Sequence, residues 1–343
     1  MTDNPCPIEP GQPWEIDLFR PGDARGVADL FLSVYGDGYP VKTYINPDRL
    51  TAENRSGRVI SSVARTPSGD IVGHNSLFQS APYTGVYESG AGVVHKNYRG
   101  SKRLFSGMIS HGLDIGGRRR RVETIFGEPV CNHVISQKVT GKMGLITMAV
   151  EMDLMPAEAY SREKSATGRV STLLDFRTLK PKPHPVYLPA EYEGLLTHLY
   201  AAFDDERELR ISHGMPPESV TTRIDVEYFD FARVARMAVW EAGADFSEVF
   251  GDEEKKVVDQ GASVIQAWVN LGQSWSGAIV DLLRATGYFT GGILPRWFDT
   301  DGLLMMKIDH RPHWEGMQIQ YDRARDIVMR IKTDWEKSMT FNR

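Results

Sequence analysis

Cysteine is nearly absent: Cys6 and Cys131 are the two in 343 residues, and neither stands at metal-ligand spacing. A disulfide-stapled extracellular framework is therefore excluded. Long apolar runs are missing too, since none approaches the roughly 18 residues that crossing a bilayer requires. Positive charge is not in surplus. Lys and Arg number 40 against 45 Asp and Glu, a formal net charge of −5, which argues against nucleic-acid binding through the general surface. The first residues, MTDNPCPIEPGQPWE, lack the basic and then apolar regions of a secretory leader, so a reducing cytoplasm is the expected setting. His310 and His313 lie three apart without a third convincing ligand, and no metal site is expected.

Ordinary globular composition is present instead, with 41% hydrophobic and 25% charged residues. The N-terminal half alternates strand-like and helix-like stretches. WEIDLFRPG reads as a strand, and DARGVADLFLSVYG as a helix opened by Asp23, with Val27, Leu30, Phe31 and Val34 on one face. RVISSVART and IVGHNSLFQ flank a PSGD turn as a hairpin. VYESGAGVVH is a further strand, SKRLFSGMISHGLDIG a helix, RVETIFGEPV a strand and HVISQKVTGKMGL a short helix. Four prolines within LKPKPHPVYLP mark a linker or crossover. The grammar then repeats: YEGLLTHLYAAF and WSGAIVDLLRATG as helices, RMAVWEAG, VIQAWVNLG and GLLMMKID as strands. KMGLITMAV and ATGYFTGGI echo each other across the halves. The expected division is into domains 1–165 and 166–343.

Glycine is scarce where it matters most. VVHKNYRGSKRLF, residues 93–105, runs from a strand end through a basic turn into a helix, yet carries Gly100 alone. The first turn of a helix exposes unpaired N–H groups at the positive end of its dipole and so favours a phosphate. Arg99, Lys102 and Arg103 add charge suited to a diphosphate. A solvated basic helix start accounts for the same residues.

In these stretches the chain resembles the GCN5-related N-acetyltransferase (GNAT) superfamily, over residues 14 to about 155: RPGDARGVADLF, VISSVARTPSGDIVGH, then SGAGVVHKNYRG with its helix. The resemblance implies an α/β fold of two GNAT-like domains, each a mixed, mostly antiparallel sheet flanked by helices. It also implies an acyl-CoA co-substrate, acetyl-CoA or a longer one. Val93 and Val94 would meet the pantetheine arm on the fourth strand. Arg99, Gly100, Ser101, Lys102 and Arg103 would meet the pyrophosphate, although Lys102 and Leu104 stand where the family places two further glycines. GEPVCNHVISQKVTGKMGL resembles the fifth strand and its helix, and puts His133 and Thr140 where many members carry Asn and the Tyr that protonates the departing thiolate. The second half resembles a GNAT domain through VIQAWVNLGQSWSGAIVDLLRATGYFTGGILPRWFDTDGLLMMKI. Its counterpart turn, AVWEAGADFSEVFGD, has no Arg-Gly pair and carries Glu241, Asp245 and Glu248, so a degenerate copy without CoA is expected.

N-acyl transfer requires a neutral amine, an aligned thioester and stabilisation of the oxyanion. Glu88, Glu128 and His133 are the candidate acid-base residues. A surface Glu at a strand start is the plain alternative for Glu88. Tyr35 and Tyr39, after the first helix, are candidate substrate contacts or packing anchors, and His74 reads as a satisfied sheet histidine. The RRRR run at 118–121 reads as a solvated face. The leading expectation is an acyl-CoA-dependent N-acyltransferase acting on a small amine or amino-acid-like acceptor by direct attack, as a monomer or homodimer. The alternatives are a GNAT-like ligand-binding protein without catalysis and a transferase using an aminoacyl or other non-CoA donor.

Overall fold

Strand–helix alternation organises a computed structural model that describes the chain except for residues 1–7, 37–38, 40, 102, 120–121, 161–165, 204 and 342–343. Packing divides it into two units, Met1–Phe126 and Gly127–Arg343. The fold class is the one the resemblance implies, mostly antiparallel sheet flanked by helices. No helix among the described residues is long and apolar enough to cross a membrane.

In the first unit the elements are β1 Glu15–Leu18, α1 Ala24–Tyr35, α2 Pro47–Ser56, β2 Val59–Arg65, β3 Ile71–Phe78, β4 Val86–Val94, α3 Leu104–His111 and β5 Thr124–Gly127. The strands follow the order β1-β2-β3-β4-β5. All neighbours are antiparallel except β4 and β5, which are parallel and joined through α3. Strands β2 and β3 are buried on both faces, as their lack of polar alternation demands. On one side α1, α2 and the short turn between them bring Val27, Leu30, Phe31, Tyr44 and Leu50 onto Val59, Val63, Ile71 and Val93. On the other, α3 packs Leu104 and Met108 against Ala64, Val72 and Tyr98. Asp23 does precede α1, but it does not cap it: its carboxylate holds the Arg65 guanidinium bidentately at 2.7 and 2.8 Å and accepts the Arg20 N–H. α2 is capped by Asn46, which accepts the Arg49 N–H at 3.0 Å, and ends at Gly57 with φ +81°.

The second unit contains α4 Ile135–Lys142, β6 Ile146–Met155, β7 Val170–Thr178, β8 Pro185–Leu188, α5 Glu193–Tyr200, β9 Glu208–Ile211, β10 Arg223–Phe229 and β11 Val234–Glu241. α6 Phe246–Asp259, β12 Val264–Asn270, α7 Ser276–Ala285, β13 Phe289–Leu294, β14 Gly302–Ile308 and α8 Asp322–Phe341 complete it. Its sheet runs β7-β6-β13-β14-β12-β11-β10, and β8 and β9 form a separate parallel pair. The proline-rich stretch is therefore partly strand. The pair β11 and β12 is parallel and joined through α6, the same unit as β4–α3–β5. The echo noted in the sequence is structural. α4 ends at Gly144 (φ +72°), where the Leu145 N–H reaches the Thr140 carbonyl at 3.1 Å, and α7 ends at Gly287 (φ +94°), where the Tyr288 N–H reaches the Leu283 carbonyl at 3.1 Å.

Candidate active site

β4 departs from β5 part-way along. Parallel pairing covers Val86↔Thr124, Tyr87↔Ile125 and Glu88↔Phe126, while β4 continues to Val94 paired with β3. Past Glu88 the strand is Ser89-Gly90-Ala91-Gly92, small residues that are half-buried and leave the backbone approachable. The β3 register steps from Ser76↔Gly90 to His74↔Val93, so Asn75 stands opposite two residues, Ala91 and Gly92. Ala91 adopts φ +49°, a conformation L-residues avoid at a cost of about 1–3 kcal/mol unless their surroundings enforce it.

His74 does the enforcing. Its Nδ1 lies 2.9 Å from the Ala91 carbonyl oxygen and its Nε2 2.9 Å from Ser61 Oγ. A carbonyl only accepts, so Nδ1 carries the proton and Nε2 accepts the Ser61 hydroxyl. Full burial pushes the His74 pKa down to about 4, keeping the imidazole neutral and in this tautomer at neutral pH. Phe31 and Tyr44 close around the ring, with centroids 5.3 and 5.4 Å away.

The bulge opens onto a cleft of about 460 Å³. Tyr39, Tyr44, Phe78, Glu88, Arg58 and Ala91 are among its walls. Glu88 accepts the Ser80 hydroxyl at 3.0 Å. Tyr39 stacks on Tyr35 at 4.9 Å and packs against Phe31, while Tyr35 itself is exposed. Burial, then the neighbouring Tyr35 and Glu88, push the Tyr39 phenol well above its ordinary value, so it stays protonated. Glu53 neutralises Arg58 through two 2.7 Å bonds.

Downstream of β4 the turn is exposed at Arg99, Gly100, Ser101 and Arg103. Gly100 (φ +81°) and Arg103 (φ +69°) both take the left-handed conformation, and Arg103 directly precedes α3. Lys102 lies outside the described residues. Val93 and Val94 turn their side chains into the two cores, so their backbone alone is left to meet a ligand.

The remaining candidates lie in the second unit. Glu128 sits 3.6 Å from Arg236, which also pairs with Glu151 at 3.1 Å. His133 Nδ1 accepts the Ile135 N–H at 3.3 Å at the start of α4. The Thr140 hydroxyl donates to Asp175 at 2.6 Å, beside a 2.7 Å bond from Thr147 to the same carboxylate. Burial pushes Asp175 up to about 6. The turn from β11 to α6 is filled by its own chain: Asp245 accepts the Thr222 N–H and hydroxyl, Thr222 Oγ1 accepts the Gly243 N–H, and a Cβ on Gly243 would sit 1.8 Å from the Val220 carbonyl oxygen.

His74 is the satisfied sheet histidine that the sequence suggests; what the sequence leaves unread is that its bonds run to the Ala91 carbonyl and to Ser61. A histidine in a strand opposite a Gly-Ala-Gly segment was the available signal, and its partner across the sheet could not be read without the register.

No family profile matches the chain, and neither does any curated protein. Solved structures it resembles include acetyltransferases. Ribosomal-protein-S5-alanine acetyltransferase from Vibrio fischeri is 13% identical and matches 48% of this chain and 92% of its own, with a TM-score of 0.38. An N-acetyltransferase from Staphylococcus aureus Mu50 is 12% identical over 49% of this chain and 99% of its own, with a TM-score of 0.39. The spermidine/spermine N-acetyltransferase SpeG from Vibrio cholerae is 10% identical over 48% and 95%, with a TM-score of 0.36. A likeness of this size assigns no residue and no activity here.

Proposed function

We propose that this protein is an acyl-CoA-dependent N-acyltransferase whose donor lies along β4 of the first unit and whose acceptor is a small amine. One observation carries the reading: the strand split after Glu88, with the His74-held bulge at Ala91, exposes strand backbone beside a cleft that contains a carboxylate. An extended pantetheine arm would add to that edge as a further strand. Arg99, Gly100, Ser101 and Arg103 would meet its diphosphate, together with Lys102 from outside the described residues.

Glu88 is the base the geometry favours, because it lines the cleft at the point where β4 and β5 part. Glu128 is engaged with Arg236, and the His133 ring accepts the Ile135 N–H at the start of α4. The ammonium form of the acceptor gives a proton to Glu88. The nitrogen lone pair attacks the thioester carbonyl carbon; as the C–S bond breaks, the nitrogen loses its second proton to solvent and the departing thiolate takes one up, leaving a neutral amide and the CoA thiol. Thr140 is a poor proton source, since its hydroxyl already serves Asp175. Tyr39 and Tyr35 would wall the acceptor side. No covalent enzyme intermediate forms.

Calorimetric titration with acetyl-CoA, followed by an amine screen read as CoA release, tests this. Micromolar binding and amine-dependent release are expected. Glu88→Gln should lower kcat/KM by about 10²-fold, the usual scale for a lost general base, with donor affinity unchanged. Absence of binding to every acyl-CoA would overturn the reading in favour of another donor or of ligand binding without catalysis.

A further inference from the structure

The second unit carries its own cleft, of about 650 Å³, in the angle between the β11–α6 turn and α7. The segment 212–222, which lends it Met215, Pro216 and Glu218, is tied down at both ends. At one end Ser212 Oγ accepts the Gly277 N–H at 2.8 Å and Gly214 N–H donates to the Ser274 carbonyl at 3.0 Å. At the other, Thr222 bonds Asp245 and Gly243. Between these anchors Met215 and Glu218 form the outer wall, facing Phe246, Ala278, Asp281 and Leu282.

The chemistry of this cleft is unlike that of the basic turn after β4. A diphosphate is excluded twice over. Thr222 and Asp245 already occupy the amides and space of the turn, and the charged residues of the lining are Glu218 and Asp281, with no Lys, Arg or His among them. What remains is an apolar trough floored by the edge of buried Phe246 and walled by Met215, Ala278 and Leu282, with two exposed carboxylates in its lining. Met215 is 75% exposed and Leu282 42% exposed, so apolar surface is left for a guest to cover.

The geometry points to a second ligand site here, for an organic cation with an apolar body: the alkyl or aryl part would lie against Met215, Ala278 and Leu282, and the ammonium between Glu218 and Asp281. Complementary charge selects the guest, and the buried hydrocarbon supplies the binding energy. The site is independent of the reading given for the first unit and holds whether or not that reading does.

Octyltrimethylammonium is a suitable probe, because it has no N–H and cannot be acylated. Calorimetry on the full chain should show saturable binding, with octanoate failing to bind. Glu218→Gln/Asp281→Asn should weaken it about tenfold, since both carboxylates are solvated and act through screened attraction. Leu282→Lys, a surface change that places a cation in the trough, should abolish it. Glu88→Gln should leave it unchanged. Binding that the double variant leaves at full strength, that Glu88→Gln removes, or that octanoate matches would overturn the proposal, as would no binding at millimolar probe.

Discussion

His74 Nδ1 donates to the carbonyl oxygen of Ala91 at 2.9 Å, and this bond fixes the one residue of β4 whose φ is positive. The strand's departure from regular pleating is thus held by a buried neutral imidazole and not by a glycine. His74→Ala should release Ala91 toward ordinary β geometry. Acetyl-CoA affinity is expected to fall at least about tenfold and stability by about 2–4 kcal/mol, the range for truncating a buried, doubly bonded side chain. Calorimetry below the melting transition, with urea unfolding alongside, separates the two effects. Unchanged affinity in the folded variant would sever the bulge from donor binding.

The same histidine sets a pH response. Its pKa is near 6.5 when unfolded and pushed down to about 4 in the fold, so between those values the unfolded chain binds more protons and stability falls as pH falls. The loss on acidification from pH 7 to pH 4 should reach about 3 kcal/mol from this group. Urea unfolding across that range should show a steeper decline in the wild type than in His74→Asn.

His310 has the opposite sign. Its Nε2 meets the buried Asp153 at 2.9 Å and its Nδ1 meets Asp309 at 2.6 Å, and these carboxylates raise its pKa, the bond to Asp153 first. Raised in the fold, it contributes stability that is fully present below pH 6.5 and lost as pH rises through the folded pKa. The Asp153 carboxylate also accepts the His313 N–H, and Arg169 donates to the Asp153 carbonyl. His310→Gln should therefore destabilise at pH 6 and matter less at pH 9. Equal loss at both values would show that the ring acts by packing alone.

The basic turn can be tested by dissecting the donor. Arg99 and Arg103 are exposed, and their role would be attraction to a diphosphate. Arg99→Ala/Arg103→Ala should weaken acetyl-CoA about tenfold, in a salt-sensitive way, and leave a pantetheine thioester without phosphates untouched. Equal effects on both donors would place the diphosphate elsewhere.

Much of this was legible in the sequence, and the reasons for the rest are physical. The β2–β3 hairpin, β4 and α1 announce themselves through turn residues and periodicity. α2 went unread although Asn46, Pro47 and Gly57 are ordinary boundary signals, because its interior PDRLTAENRS buries little besides Leu50 and shows no apolar face. Glu88 and Tyr39 were named as candidates, and the fold brings them into one cleft. The His74–Ala91 bond was beyond reach, because it depends on a register shift of one residue that no local pattern encodes. The role of Val93 and Val94 was half visible: their apolar character marks the strand, and their side chains serve the core.

Gly243 closes the turn from β11 to α6 in the second unit. A Cβ there would meet the Val220 carbonyl oxygen at 1.8 Å, and backbone on both sides cannot yield cheaply. Gly243 N–H also donates to Thr222 Oγ1 at 3.0 Å, so the turn and the 217–222 segment form one bonded unit. Gly243→Ala should then force that segment off the turn. The expected cost is about 2–4 kcal/mol, from overpacking together with the strained bonds of Thr222 and Asp245. Gly100→Ala provides the contrast. Nothing lies within 4 Å of its added Cβ, so only the φ of +81° is penalised, at about 1 kcal/mol. Thermal unfolding of both variants decides the matter. A Gly243 variant as stable as the Gly100 variant would mean that the segment over the second turn is loosely held.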